Sequence, residues 1–228
     1  MNRIKLFEYT FNQVMRKQRS ITSLFPTFND RVKKVASNGG ARFVGTDGNK
    51  WNFTVTSGTE TGLKYDVIVE LIDVEDRIRE IINSTKDVWV KEGSYVDYRK
   101  LADILIDKVD LRWQCSCPAF QYWGPAYILT QRNAKVIPPP EDRAPRVRNP
   151  KEYGAVCKHL QNVLKVFPFY VSTLAKWLKV NYSEVVAQEE AAVNAERGKF
   201  KAAGEYLGAK EEPVSFTRGG KPFPPEEK

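Results

Sequence analysis

The chain has 228 residues, of which 42% are apolar and 12% aromatic, enough to bury the core of one large domain or two small ones and too many for a chain disordered throughout. Its 36 Lys and Arg against 28 Asp and Glu leave a net charge of +8, a balance that suits nucleic acid or an acidic protein surface. Asn2, Arg3, Lys5, Glu8 and Arg16 interrupt the N-terminal apolar residues, so no secretory leader or membrane span is expected, and three cysteines suit a reducing cytoplasm.

Residues 1–40 read as a helical arm. Ile4, Phe7, Phe11, Val14 and Met15 share one face, and a second short helix is expected over 30–35, after the break at Pro26. The arm either packs on the core or docks on a neighbouring subunit. Residues 41–108 read as an antiparallel β meander with helices. Strands are expected around Arg42, Phe43 and Val44, over 51–56 and over 65–71, separated by an Asp47-Gly48 turn and a second turn over 57–62. One face of this three-stranded sheet should bury Trp51, Phe53 and Val55. A helix follows over 74–83, with Glu75 and Asp76 in its first turn and Ile78, Ile81 and Ile82 facing inward. Residues 87–90 suit a strand. Ser94 and Asp97 suit a capping box that opens a helix running to Lys108, with Leu101, Ile104 and Leu105 as its buried stripe.

Residues 109–170 carry the strongest signal. Val109, Leu111, Trp113 and Cys115 alternate with Asp110, Arg112 and Gln114, as in a half-buried strand. The strand runs into Cys115-Ser116-Cys117, and after an insert of 39 residues (118–156) come Cys157-Lys158-His159 at the head of a helical pattern that Pro168 should end. These two tripeptides contain all three cysteines and the single histidine of the chain. Three thiolates and one imidazole form a donor set that zinc favours, and four protein ligands close a tetrahedral shell, which makes such a site structural. Buried cysteines without metal are the plainer alternative. A Cys115–Cys117 disulfide would strain a short loop and leave one cysteine over.

The insert holds Phe120, Tyr122, Trp123 and Tyr127 within its first ten residues, read first as packing over the metal and second as platforms for bases. From Arg132 to Lys158 there are seven basic residues (Arg132, Lys135, Arg143, Arg146, Arg148, Lys151 and Lys158) against three acidic ones, a local excess of +4. That excess suits phosphates, an acidic protein surface or a solvated loop. Pro138, Pro139, Pro140, Pro145 and Pro150 should hold the segment extended.

The pattern Cys-x-Cys…Cys-x-His resembles the SWIM zinc finger, in which a hairpin carries the first pair and the first turn of a following helix carries the second. The run from Cys115 through Phe120, Tyr122 and Trp123 to Cys157-Lys158-His159 is also similar to SWIM-type proteins encoded by large tailed bacteriophages. The resemblance covers about residues 109–170, and its insert is longer than the family usually has. It implies a ββα zinc module and a viral setting: a virion component assembled in the host cytoplasm.

Residues 171–210 read as C-terminal helices, one over 173–180 and a longer one capped by Ser183. Val186, Val193, Phe200 and Leu207 recur every seven residues, while Gly198, Gly204 and Gly208 would each cost an isolated helix about 1 kcal/mol. Residues 211–228 have the composition of an extended tail.

The expected fold is α+β: a small antiparallel meander and a ββα zinc module flanked by N- and C-terminal helices. The only histidine is assigned to metal, and no P-loop, Gly-x-Ser-x-Gly, Rossmann or deaminase pattern occurs. The first functional expectation is therefore a non-enzymatic, zinc-stabilised assembly protein that binds other virion proteins or itself as a homo-oligomer, with no membrane and no small-molecule substrate. The alternative is a nucleic-acid-binding protein whose basic insert residues contact phosphates, with Tyr122 and Trp123 stacking on bases.

Overall fold

Period-two alternation of apolar side chains builds the sheet at the centre of the protein. The computed structural model describes residues 9–10, 13, 26–90, 95–131, 134–137, 140–147 and 156–208. Strands β1 (Tyr9–Thr10), β2 (Ala41–Asp47), β3 (Lys50–Thr56), β4 (Lys64–Ile72) and β7 (Asp110–Cys115) form one antiparallel sheet in the order β1-β7-β4-β3-β2. A two-stranded ribbon of β5 (Trp89–Val90) and β6 (Tyr95–Val96) stands beside it. The fold is α+β, as the sequence leads one to expect.

Register puts one apolar row across the sheet after another. Phe53 lies opposite Val67, which lies opposite Cys115; Trp51 lies opposite Val69, which lies opposite Trp113. All six are buried, whereas Asn52, Ile68 and Gln114 on the opposite face are half-buried. The β2–β3 connection turns at Gly48, where a φ of 55° favours a residue without a Cβ. The outer strand β2 is bulged between Phe43 and Gly45, which interrupts a regular edge.

Helices cover the buried face. Helix α1 (Pro26–Ser37) packs on α6 (Lys158–Val166), and α6 reaches β2, β3, β4 and β7. Helix α3 (Tyr98–Lys108) packs on α2 (Val74–Ser84) and on α7 (Val171–Asn181). Between α6 and α7, Pro168 sits in a 3-10 turn, Phe167–Tyr170, that redirects the chain. Phe167 of this turn meets Trp51 at 5.6 Å and Phe53 at 6.2 Å between ring centroids, and α7 adds Trp177 at 6.0 Å from Trp51. These tilted and edge-on pairs fill the centre of the core. Arg77 of α2 donates to the buried carboxylate of Asp110 at 3.1 Å, tying α2 to β7.

The chain divides into two compact units, 1–190 and 191–228. Helix α8 (Ser183–Gly208) begins in the first and supplies the described residues of the second. Its first turns are held by Glu189, which accepts from Arg79 and from Asn83, and by Glu190, which accepts from the backbone of Val96.

Several local expectations change. Tyr9 and Thr10 form an edge strand on β7 where a helix was expected, because the exposed backbone of Asp110 and Leu111 offers them a ladder. Ile4, Phe7, Phe11, Val14 and Met15 lie outside the described residues. The strand bearing Cys115 does not form a hairpin of its own; it is the neighbour of β4 in the meander sheet. Asp97 caps α3, accepting from the backbone N–H groups of Arg99 and Lys100, while Ser94 lies outside the described residues. Ile104 is half-buried, and Ala102 and Ile106 join Leu101 and Leu105 in the inward stripe of α3. Helix α8 runs through its glycines as far as Gly208.

Phe53→Ala should cost about 3–5 kcal/mol, read as a lowered denaturant midpoint, because the cavity would open between α6 and the sheet. Val44→Thr, on the exposed outer edge, should stay within about 0.5 kcal/mol of the parent.

Candidate metal centre

Three elements deliver four ligands to one buried point. Strand β7 ends at Cys115, whose side chain lies in the same row as Val67 on the covered face. Ser116 then locks the chain to β4: its N–H donates to the Asp66 carbonyl and its hydroxyl accepts from the Asp66 N–H, each at 2.9 Å. Cys117 is the N-cap of helix α4 (Pro118–Tyr122), and its Sγ accepts from the N–H of Phe120 at 3.3 Å. Cys157 caps α6 in the same way, its Sγ accepting from the N–H of Leu160 at 3.4 Å. His159, two residues on, lies in the first turn of α6 and is 1% exposed.

The three Sγ atoms and the imidazole all lie within 4.8 Å of one another, and all four residues are buried. Metal–sulfur bonds of about 2.3 Å in a tetrahedron place sulfurs roughly 3.8 Å apart, so small side-chain adjustments close the shell. Neither ring nitrogen of His159 has a hydrogen-bond partner. A buried imidazole left so is costly, and a metal ion would satisfy one of its nitrogens. The two helix N-termini favour thiolates at Cys117 and Cys157.

Without a cation these sulfurs cannot all ionise. Hydrogen bonding to Cys115, then to Cys157, holds the Cys117 thiol far below the usual range, while the same contact with Cys117 pushes Cys115 up. Burial pushes Cys157 up. Three thiolates together are therefore disfavoured, and a metal ion held here would supply the charge that lets all three lose their protons. If all four residues bound one ion, its tetrahedral shell would be filled. The arrangement can hold a metal ion and can fasten β7, α4 and α6 to it.

Sequence reasoning missed Tyr65. Its ring lies 4.4 Å from that of His159, tilted by 35°. It precedes Val67 by two residues on the covered face of β4, and that period was the only available signal. Burial, then the Glu60 carboxylate, pushes its phenol above the usual range, so it stays neutral.

The insert is less regular than its ligands. Its aromatic start forms α4 and α5 (Pro125–Gln131), two helices that sequence reasoning did not anticipate. The aromatics divide: Phe120 is buried, Tyr127 half-buried, and Tyr122 and Trp123 are exposed. The chain then returns to β7, where Trp113 donates to the carbonyl of Ala134 at 2.9 Å and accepts from Val136 at 3.2 Å. Lys135 is half-buried and donates to the carbonyl of Ile137. Arg143 is exposed and forms a bidentate pair with the buried Glu141, at 2.8 Å on each oxygen. Arg146 is exposed and Lys158 half-buried, while Arg132, Arg148 and Lys151 lie outside the described residues. A cleft of about 480 Å³ opens between Gln114, Phe120, Gln121, Lys135, Ile137 and Arg143.

Comparison with known protein families, with curated proteins and with solved structures finds no match for this chain.

His159→Ala and Cys115→Ser should each remove the bound metal and unfold the region it holds, since structural metal sites of this type carry about 10–16 kcal/mol of apparent binding energy that is also folding energy. Metal content and thermal unfolding followed together check this, and a variant that melts as the parent does would contradict it. Acidification should release the metal as protons take back the thiolates, whereas raising the pH should retain it.

Proposed function

We propose that this chain is a non-enzymatic, zinc-stabilised assembly protein of the SWIM type, acting through protein–protein contacts. The observation that carries the reading is the buried set of Cys115, Cys117, Cys157 and His159, four ligands from three elements with no position left for chemistry. Three sulfurs and one nitrogen within 4.8 Å of one another favour zinc over the harder, oxygen-seeking cations. The site anchors both ends of the insert, and the insert presents Tyr122, Trp123, Ile137 and Val147 outward. Aromatic and aliphatic groups interspersed with arginine have the composition of a contact surface. The resemblance to SWIM-type proteins of large tailed bacteriophages supports a virion setting, with the partner another virion protein or a second copy.

One observation favours a second reading, in which the insert holds nucleic acid. Tyr122 is 61% exposed and lies within electrostatic reach of the Arg143 guanidinium, and the cleft lined by Gln114, Gln121 and Lys135 adjoins Arg143. A stacking ring beside a cation at a polar cleft suits a single strand.

Native mass spectrometry of the purified protein, with and without a short DNA oligonucleotide, separates the two. One zinc per chain with oligomers indifferent to DNA supports assembly. DNA adducts that weaken about tenfold or more over a modest rise in salt support the second reading. Replacing Arg146 and Arg148 together by Ala, and sparing Arg143 because it pairs with the buried Glu141, should leave zinc content and melting unchanged while weakening the oligomer; an unaltered oligomer would remove the insert from the interface.

A further inference from the structure

We infer that Tyr65 is the positioning residue of the metal centre, orienting His159 by ring contact. The inference rests on the metal reading above and deepens it. A metal-bound histidine ordinarily donates its second ring N–H to a carboxylate or a carbonyl, and that bond fixes the ring plane and the tautomer. Here neither His159 nitrogen has such a partner. What meets the imidazole instead is the Tyr65 ring, with centroids 4.4 Å apart and planes 35° from parallel.

Tyr65 is itself held by its strand. Its backbone is fixed in the β3–β4 ladder opposite Val55. Its phenol lies within electrostatic reach of Ser57, a buried residue whose hydroxyl accepts from the N–H groups of Thr59 and Glu60, each at 3.2 Å. The ring therefore stands between a paired strand and the turn that follows β3. Among the four ligands the sulfurs of Cys117 and Cys157 are oriented by helix N–H groups, and Cys115 by its strand. His159 alone depends on an aromatic neighbour. Tyr65 is half-buried, whereas the four cluster residues it adjoins are buried. Removing the ring frees the imidazole, which no carboxylate or carbonyl holds, to turn, and His159 would be the first ligand to detach.

The test is made on the full-length protein loaded with cobalt(II) and, separately, with zinc. Tyr65→Leu retains bulk without an aromatic face, and Tyr65→Phe retains the face without the hydroxyl. Tyr65→Leu should still bind one metal per chain, shift the cobalt d–d bands, and speed metal transfer to an excess of chelator at least about tenfold. Tyr65→Phe should restore the parent spectrum and come within about twofold of the parent rate. A Tyr65→Leu protein with parental spectrum and transfer rate overturns the inference while leaving the metal reading intact. A Tyr65→Phe protein as fast as Tyr65→Leu overturns it in favour of the Ser57 contact. A parent chain that binds no metal overturns both.

Discussion

Charge neutrality at one buried point is the constraint on which the rest of this structure depends. Three thiols and an imidazole have been brought within 4.8 Å of one another in a place shielded from water. Burial opposes three thiolates, and hydrogen bonding among the thiols can support only one. A bound metal ion would relieve the conflict, and in doing so would join the end of β7 to the starts of α4 and α6. The geometry around it follows. Two of the ligands double as helix caps, so the same sulfur atoms that face the ion also satisfy backbone groups that a helix start would leave unpaired.

The sheet prepares this point before the ligands arrive. Because Val67 lies between Phe53 and Cys115 in one row, the first ligand emerges on the covered face, beneath α6. Ser116 points the other way and ties the turn to Asp66, so that Cys117 can come back toward the same side. A change of one residue in the register of β7 would send Cys115 to the exposed face and leave the centre with three ligands. The core aromatics Trp51, Trp113 and Phe167 pack around the same face, so metal ligation and hydrophobic burial act on the same elements.

Much of this was legible in the chain itself. Strands β3 and β4, helix α2 with its buried Ile78, Ile81 and Ile82, and the grouping of the four ligands all follow from periodicity or from the scarcity of Cys and His. What was not legible depended on long-range pairing. Nothing local in Tyr9 and Thr10 says that they will add to the edge of β7, and nothing near Cys115 says that β4 will be its neighbour. Helices α4 and α5 were obscured by aromatic and proline content. Pro118 and Pro125 each stand at the first position of a helix, where a missing N–H costs nothing. Tyr65 was obscured because its role is defined by a partner 94 positions along the chain, His159.

The return of the insert to β7 has a consequence for how the protein can vary. The insert leaves the metal cluster at Cys117 and rejoins it at Cys157, and between them Ala134 to Val136 pair with β7 beside Trp113, so the stretch that follows is spanned by two fixed points. The entropy of closing such a loop grows only logarithmically with its length, so doubling it costs about 0.6 kcal/mol. Added length between those points thus asks little of the sheet, the helices or the four cluster residues, while composition at Glu141, buried and bonded to Thr130 and Arg143, is not free to drift.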